Sequence, residues 1–516
     1  MVAVLARAVT FALVGVDALK VTVEADIHPG LPSFTIVGLP DAAVQESRER
    51  VRSALVNSGF EFPLRRITVN LAPADMRKAG PGFDLALAAA LLVASGQLPG
   101  EALGAYALSG ELGLDGRVRP VRGALVMADA CARAGLDGIV VPEACGGEAS
   151  LPGAIDVVAV GSLRSVAAFL AAGDRPPAPS VDAGAILKRT PDDGIDFAQV
   201  RGHHALKRAL EVAAAGGHNL LMVGPPGSGK SMAARRLPSI MPPLTVQEAL
   251  EVTRVHSVAG LLRAEPLVAR RPFRAPHHTV SSAGLVGGGP TPSPGEATLA
   301  QHGVLFLDEL AEFSRPALEA LRQPLEEGSI RITRAQRSVT FPARFMLVGA
   351  MNPCPCGHAG DERRQCSCPN ATLQRYSAKL SGPLVDRIDM IVRVESPPRE
   401  DLMGDEAAPE SPAMRERVSA ARARQLQRLA GTASRCNGEL GPAQVRRLCP
   451  LEPAARSALY AAHERLRLSV RGHDRVLRVA RTLADLDGRD RIARRDIAQA
   501  VGYREIRPAD LLAAVV

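Results

Sequence analysis

Tryptophan is absent from the 516-residue chain and aromatic residues make up 3% of it. Were the partner a nucleic acid, so few aromatics would favour tracking of its phosphates over base stacking, with little sequence preference. No apolar run reaches the roughly 18 residues that a membrane span requires. The N-terminus lacks a charged region followed by an apolar stretch and a cleavage site. Both absences lead to the expectation of a soluble, cytosolic protein with no membrane partner. Lysine is missing altogether from residues 413–516, which hold 21 Arg against 11 Asp plus Glu. That segment alone is at +10, above the +8 of the whole chain, so the remainder is close to neutral. Such a balance suits a polyanionic partner and says nothing about fold.

What is present divides the chain. A length of 516 residues suggests about three domains, and two proline-rich breaks, DRPPAPS at 174–180 and an acidic one at 396–412, supply boundaries. The expected organisation is an N-terminal domain at 1–173, a linker at 174–193, a core at 194–395, a second linker at 396–412 and an Arg-rich helical domain at 413–516. In the first, strands are expected near 21–25 and 67–71 and a long apolar helix near 85–94.

The chemistry concentrates in the core. HNLLMVGPPGSGKS, residues 218–231, is an apolar run of strand length followed by a phosphate loop and a helix start near Lys230. Backbone groups of Gly224, Pro225, Pro226, Gly227, Ser228 and Gly229 would cradle the phosphates of ATP, Lys230 would reach the outer ones, and the Ser231 hydroxyl would ligate Mg2+. GVLFLDEL ends a second strand at Asp308 and Glu309, an arrangement that gives Asp308 to the magnesium shell and Glu309 to the attacking water. A third strand, at 345–350, leads to Asn352, read as a γ-phosphate sensor or, taken alone, as a turn residue before Pro353. Three strands that end in three such groups make an AAA+ ATPase core, an α/β fold with its ligand at the carboxyl ends of a parallel sheet.

Directly after Asn352, CPCGHAGDERRQCSC places Cys354, Cys356, Cys366 and Cys368 within fifteen residues. Four clustered thiolates suit a structural zinc ion, with His358 as a substitute ligand; disulfides are the alternative, which a cytosolic setting disfavours. Cys131, Cys145, Cys436 and Cys449 stand apart and are read as small buried apolar residues.

HPGLPSFTIVGLPD (28–41) and NLAPADMRKAGPGFDLALA (70–88) resemble the N-terminal domain of the ComM/YifB family of magnesium-chelatase-like AAA+ ATPases, a domain similar in fold to the Lon protease domain. The Lon likeness continues in SGELGLDGRVRPVRG (109–123). Aligned on Gly80 and Pro81, Gly82 takes the place of the nucleophilic serine, and counting on from Gly123, Met127 takes that of the activating lysine, so the domain is expected to be proteolytically inactive. Lys78 and Ser109 are nearby, but nothing in the sequence pairs them. Residues 274–303 resemble the helix-2 insert of magnesium chelatases and MCM-like helicases, and 326–345 resemble their hairpin before sensor 1. In that hairpin Arg331, Arg334 and Arg337 recur every third residue, which does not hold one face of a strand; they either flank the turn and line a DNA-tracking pore, the reading we favour, or are solvated.

By the same resemblance, SGPLVDRIDM (381–390) makes Arg387 an arginine finger, or else a salt-bridge partner of Asp386 or Asp389. Residues 469–490 resemble a lid helix with Arg471 as sensor 2, Arg475 and Arg478 being alternatives. The resemblance spans nearly the whole chain and implies a hexameric helicase that promotes branch migration when incoming DNA recombines. A chelatase-type motor that remodels a protein partner for metal insertion, and a scaffold that only binds ATP, are the competing readings.

Overall fold

The computed structural model describes residues 5–189, 194–262, 265–289, 292–333, 338–359, 364–379, 382–397 and 408–505. They form two compact units. One gathers Met1–Arg189, Thr245–Ala269 and Thr333–Thr340; the other gathers Thr190–Leu244, Arg270–Ile332 and Phe341–Val516.

The first unit contains the strands β1 (Ala6–Val14), β2 (Asp17–His28), β3 (Ser33–Val37), β4 (Arg66–Ala72), β5 (Tyr106–Leu108), β6 (Gly138–Pro142) and β7 (Asp156–Val160). They pair in the order β3-β4-β2-β1-β5-β6-β7. β2 runs antiparallel to both of its neighbours, β1 and β4, while the pairings of β3 with β4, β1 with β5, β5 with β6 and β6 with β7 are parallel. β2 and β4 alternate between buried and more exposed positions, the period of a strand covered on one face. GIVVP in β6 is buried throughout, as a strand covered on both faces must be.

Helix α1 (Ala42–Asn57) packs beside α2 (Asp84–Ala94), whose sequence DLALAAALLVA is buried from Asp84 to Val93. The elements expected near 21–25, 67–71 and 85–94 are all present. A carboxylate inside such a core needs partners. Asp84 accepts hydrogen bonds from Arg50 (Nε, 2.7 Å), from the Leu112 N–H (3.1 Å) and from the Ser47 hydroxyl. At the positions of the protease comparison, Ser109 Oγ donates to the Gly82 carbonyl at 3.5 Å and the Lys78 ammonium donates to the Pro73 carbonyl.

The helix Val246–Val258 also belongs to this unit, although it follows the phosphate loop in sequence. Thr245 and Glu248 form a capping box at its start. Near its end the Ser257 hydroxyl and the Leu125 N–H (2.9 Å) both donate to the buried carboxylate of Glu148.

The second unit is built on β8 (Leu220–Val223), β9 (Phe273–Arg274), β10 (Val304–Leu307), β13 (Met346–Met351) and β14 (Met390–Arg393); β11 (Ser329–Thr333) and β12 (Ser338–Pro342) form the hairpin expected before β13, and residues 333 and 338–340 of these two strands group with the first unit. The sheet order is β9-β10-β13-β8-β14 and every pairing is parallel. One edge of the sheet therefore holds every carboxyl end and the other every amino end. Helices α3 (His204–Gly216) and α4 (Lys230–Ile240) flank β8 in sequence. The C-terminal helices include α6 (Ser411–Arg428) and α7 (Val470–Leu486), after α5 (Asn370–Lys379). Apolar side chains of α7, such as Val476, Val479 and Leu483, share one core with Leu220, Val348 and Met390 of the sheet. Among the described residues, no helix is long and apolar enough to cross a membrane.

Candidate nucleotide site and cysteine centre

Three strand ends build the site. β8 passes into the loop 224–229, whose last residue, Gly229, caps α4 at φ +81°, a conformation that glycine adopts without steric cost. The Lys230 ammonium is largely buried and donates to the carbonyls of Gly224 and Pro225, both at 2.7 Å, and to Ser228 Oγ at 3.3 Å. It also lies 3.5 Å from Asn352 Oδ1, just past the end of β13. Burial lowers its pKa to about 8, against an upward pull from Asp308.

Ser231 Oγ donates to Asp308 Oδ2 at 2.6 Å, so the two oxygens assigned to magnesium from sequence are already neighbours. Glu309 takes a left-handed backbone (φ 53°), which costs a residue with a Cβ about 1–2 kcal/mol. Its N–H donates to Asp308 Oδ1 at 3.0 Å, while its exposed carboxylate lies 3.3 Å from His278 Nδ1. His278 in turn lies against His277, with ring centroids 4.1 Å apart and planes tilted by 33°, and meets the Phe313 ring nearly edge-on. The Asn352 carbonyl accepts the Tyr376 hydroxyl at 3.1 Å, and burial raises the pKa of that phenol.

The cysteine centre follows in sequence. The Sγ atoms of Cys354, Cys356, Cys366 and Cys368 all lie within 4.8 Å of one another, and none of the four is in a disulfide. Individual separations are 3.3 Å (Cys354–Cys356), 3.5 Å (Cys356–Cys366) and 3.7 Å (Cys366–Cys354). Four thiolates at zinc-bonding distance in a tetrahedron stand about 3.8 Å apart, so the set can hold a metal such as zinc. Ala359 and Leu373 pack against the sulfurs. Burial pushes the Cys354 thiol up; at Cys356 burial acts upward too, but hydrogen bonds from the backbone N–H groups of His358 and Ser367 and from the Cys354 and Cys368 thiols together bring it down. His358 thus contributes its backbone N–H, and its ring is not part of the cluster. Cys131, Cys145, Cys436 and Cys449 are buried, as expected.

Comparison with known proteins follows the same outline. Family models described as "Magnesium chelatase, subunit ChlI", "Subunit ChlI of Mg-chelatase" and "Magnesium chelatase, subunit ChlI C-terminal" match residues 196–402, 23–145 and 408–504. The uncharacterized protein YifB of Escherichia coli K12 is 43% identical over 504 residues, 96% of each chain. The competence protein ComM of Haemophilus influenzae is 41% identical over 495 residues, again 96% of each. The chain belongs to the ComM/YifB family of magnesium-chelatase-like proteins. The magnesium-chelatase 38 kDa subunit of Cereibacter sphaeroides is more distant: it is 26% identical over 219 residues, which are 39% of this chain and 59% of that protein.

In this ComM/YifB member the assigned arginines lie at the amino edge of the sheet, opposite the phosphate loop. Arg387, just ahead of β14, is buried and ion-paired with Glu326; Arg471 Nη2 lies 3.7 Å from the same Glu326 oxygen and is two-thirds exposed. Arg475 Nε is 3.5 Å from Asp389, and Arg478 donates to the Gly438 carbonyl at 3.2 Å. Four strand residues at about 3.3 Å each put roughly 13 Å between this edge and the phosphate loop.

Asn219 holds the amino edge together: its amide donates to the Arg387 carbonyl (3.0 Å) and accepts the Leu347 N–H (2.9 Å). Sequence reasoning treated it only as the start of an apolar run. Glu326, His278 and Tyr376 were likewise missed. Of these, His278 had a usable signal, an adjacent His pair ahead of the acidic strand end. Arg331 is exposed on β11, while Arg334 and Arg337 fall outside the described residues.

Proposed function

We propose that this protein is an ATP-hydrolysing DNA motor that works as a ring, with six subunits as the resemblance implies, and promotes branch migration during recombination of incoming DNA in the cytoplasm. The observation that carries the reading is the division of labour across one parallel sheet. Lys230, Ser231, Asp308 and Asn352 meet at the carboxyl edge, and Arg387 with Arg471 meets at the amino edge. A set split in this way is complete only where the amino edge of one subunit faces the phosphate loop of the next.

In that arrangement Lys230 binds the outer phosphates, Ser231 and Asp308 hold magnesium, which neutralises phosphate charge, and Asn352 orients the γ-phosphate. Glu309 directs water, with His278 beside its carboxylate. Arg387, released from Glu326 or sharing it with Arg471, supplies positive charge from the neighbour; Arg471 serves as the sensor because it is the exposed member of the three candidates. The four cysteines hold one structural zinc ion, which metal analysis should find at one equivalent per chain and which should be lost when Cys354 and Cys366 are replaced together.

DNA as the track is supported by the arginine-rich C-terminal segment, by the exposed Arg331 and by the name of the competence protein ComM. The chelatase-named family models favour a second reading, a motor that remodels a protein partner for metal insertion. ATP turnover with and without branched, single-stranded and duplex DNA separates them. Stimulation by DNA is expected, strongest with the branched form and weakening with salt; turnover indifferent to all three overturns the DNA reading.

A further inference from the structure

The cysteine loop touches the nucleotide site at two points, and both contacts fall on groups that handle phosphate. Gly357 turns the loop between the first two cysteines and the rest, with φ +85° and its N–H donating to the Cys354 carbonyl at 3.0 Å. A Cβ placed on Gly357 would lie 2.5 Å from Pro226 Cδ and 3.0 Å from its Cγ. The loop therefore packs on the phosphate loop with no room for one methyl group. The second contact runs through α5. Leu373 of that helix packs against the cluster, and three residues on, Tyr376 donates its hydroxyl to the carbonyl of Asn352 at 3.1 Å. Asn352 itself stands two residues ahead of Cys354 and 3.5 Å from Lys230.

We propose that the cysteine loop is the support on which Pro226 and Asn352 rest, so that metal held by Cys354, Cys356, Cys366 and Cys368 sets the affinity of the site for nucleotide. The inference builds on the nucleotide and metal readings above. Its physical basis is loop closure. The sequence of the fifteen residues from Cys354 to Cys368 carries few apolar side chains besides the cysteines, and a metal bond at four points supplies the constraint that a core would otherwise give. Without it the turn at Gly357 keeps its hydrogen bond to Cys354 but loses the anchor that fixes the four cysteines together, and the wall it forms against Pro226 loosens. Asn352 keeps its place only while Cys354 and α5 keep theirs.

The test measures the affinity for a fluorescent ATP analogue with Mg2+, beside the metal content of the same sample. Stripping the parent protein with a chelator should weaken nucleotide binding on the order of tenfold, the usual scale for loss of a packed wall, and zinc alone should restore it. Gly357→Ala should retain its metal and yet bind the analogue about tenfold less tightly, because its methyl group displaces Pro226. Gly431→Ala is the control: it has a comparable left-handed backbone (φ +77°) with nothing within 4 Å of the added carbon, and should bind as the parent does. Parental affinity in the stripped protein, or in Gly357→Ala, overturns the inference, as does an equal loss in Gly431→Ala. Lys230→Ala keeps the two levels apart. If it binds nucleotide normally, the nucleotide site itself is wrongly placed; if it does not bind while stripping and Gly357→Ala have no effect, only the role of the loop is refuted.

Discussion

His218 offers a quantitative test of how the C-terminal helices are held on the nucleotide-binding sheet. It lies between α3 and β8, is fully buried, and its Nε2 is 2.7 Å from Thr482 Oγ1 on α7. Nδ1 stands 3.9 Å from Asp389. Burial lowers the imidazole pKa from 6.5 to about 4, with Arg478 and Arg422 acting in the same direction and Asp389 against it. Above pH 6.5 the ring is neutral whether the chain is folded or unfolded, and this part of the stability is fully present. Between pH 6.5 and 4 the unfolded chain takes up a proton that the folded one refuses, so stability falls as pH falls. The gap between 6.5 and about 4 amounts to roughly 3 kcal/mol at the bottom of that window. His218→Gln retains a polar group and does not titrate. Urea unfolding followed by far-ultraviolet circular dichroism, at steps from pH 7.5 to 4, should show the parent losing stability relative to this variant as the pH drops. A parent-minus-variant difference that stays level across the range refutes the argument, since all other titrating groups are common to both proteins.

Lys230→Ala should abolish nucleotide binding, whereas Glu309→Gln should bind ATP and fail to hydrolyse it; equilibrium binding and phosphate release distinguish them, and parental turnover by Glu309→Gln would show that another group directs the water. Arg387→Ala should leave ATP binding nearly unchanged and lower turnover on the order of a thousandfold. Mixed with Lys230→Ala, it should recover part of the activity, because its intact phosphate loop can face the arginine of a neighbour; a mixture that assembles yet stays inactive points to a structural role with Glu326. Asn219→Ala removes the hydrogen bonds to the Arg387 carbonyl and the Leu347 N–H and should cost about 1–3 kcal/mol in stability, read as a lower unfolding midpoint.

Much of the nucleotide edge could be read from the chain alone. A phosphate loop, an acidic strand end and an asparagine strand end are local patterns, and once each strand is parallel to the next, their carboxyl ends must share an edge. The four cysteines were legible for the same reason, since fifteen residues cannot separate them far. Tertiary packing decided the rest. The pairing of Arg387 and Arg471 on Glu326 joins three segments far apart in sequence, and no periodicity links them. The helix Val246–Val258 reads as part of the core that surrounds it in sequence, yet it sits in the N-terminal unit, where Ser257 meets the buried Glu148. Likewise the Arg-rich helices, separated by composition, share a core with the sheet because the apolar side of α7 finds its cover there. Backbone hydrogen bonding and short-range spacing act within a segment and so are written in it; which surface buries an apolar stripe, or which carboxylate answers a guanidinium, depends on what the rest of the chain brings alongside.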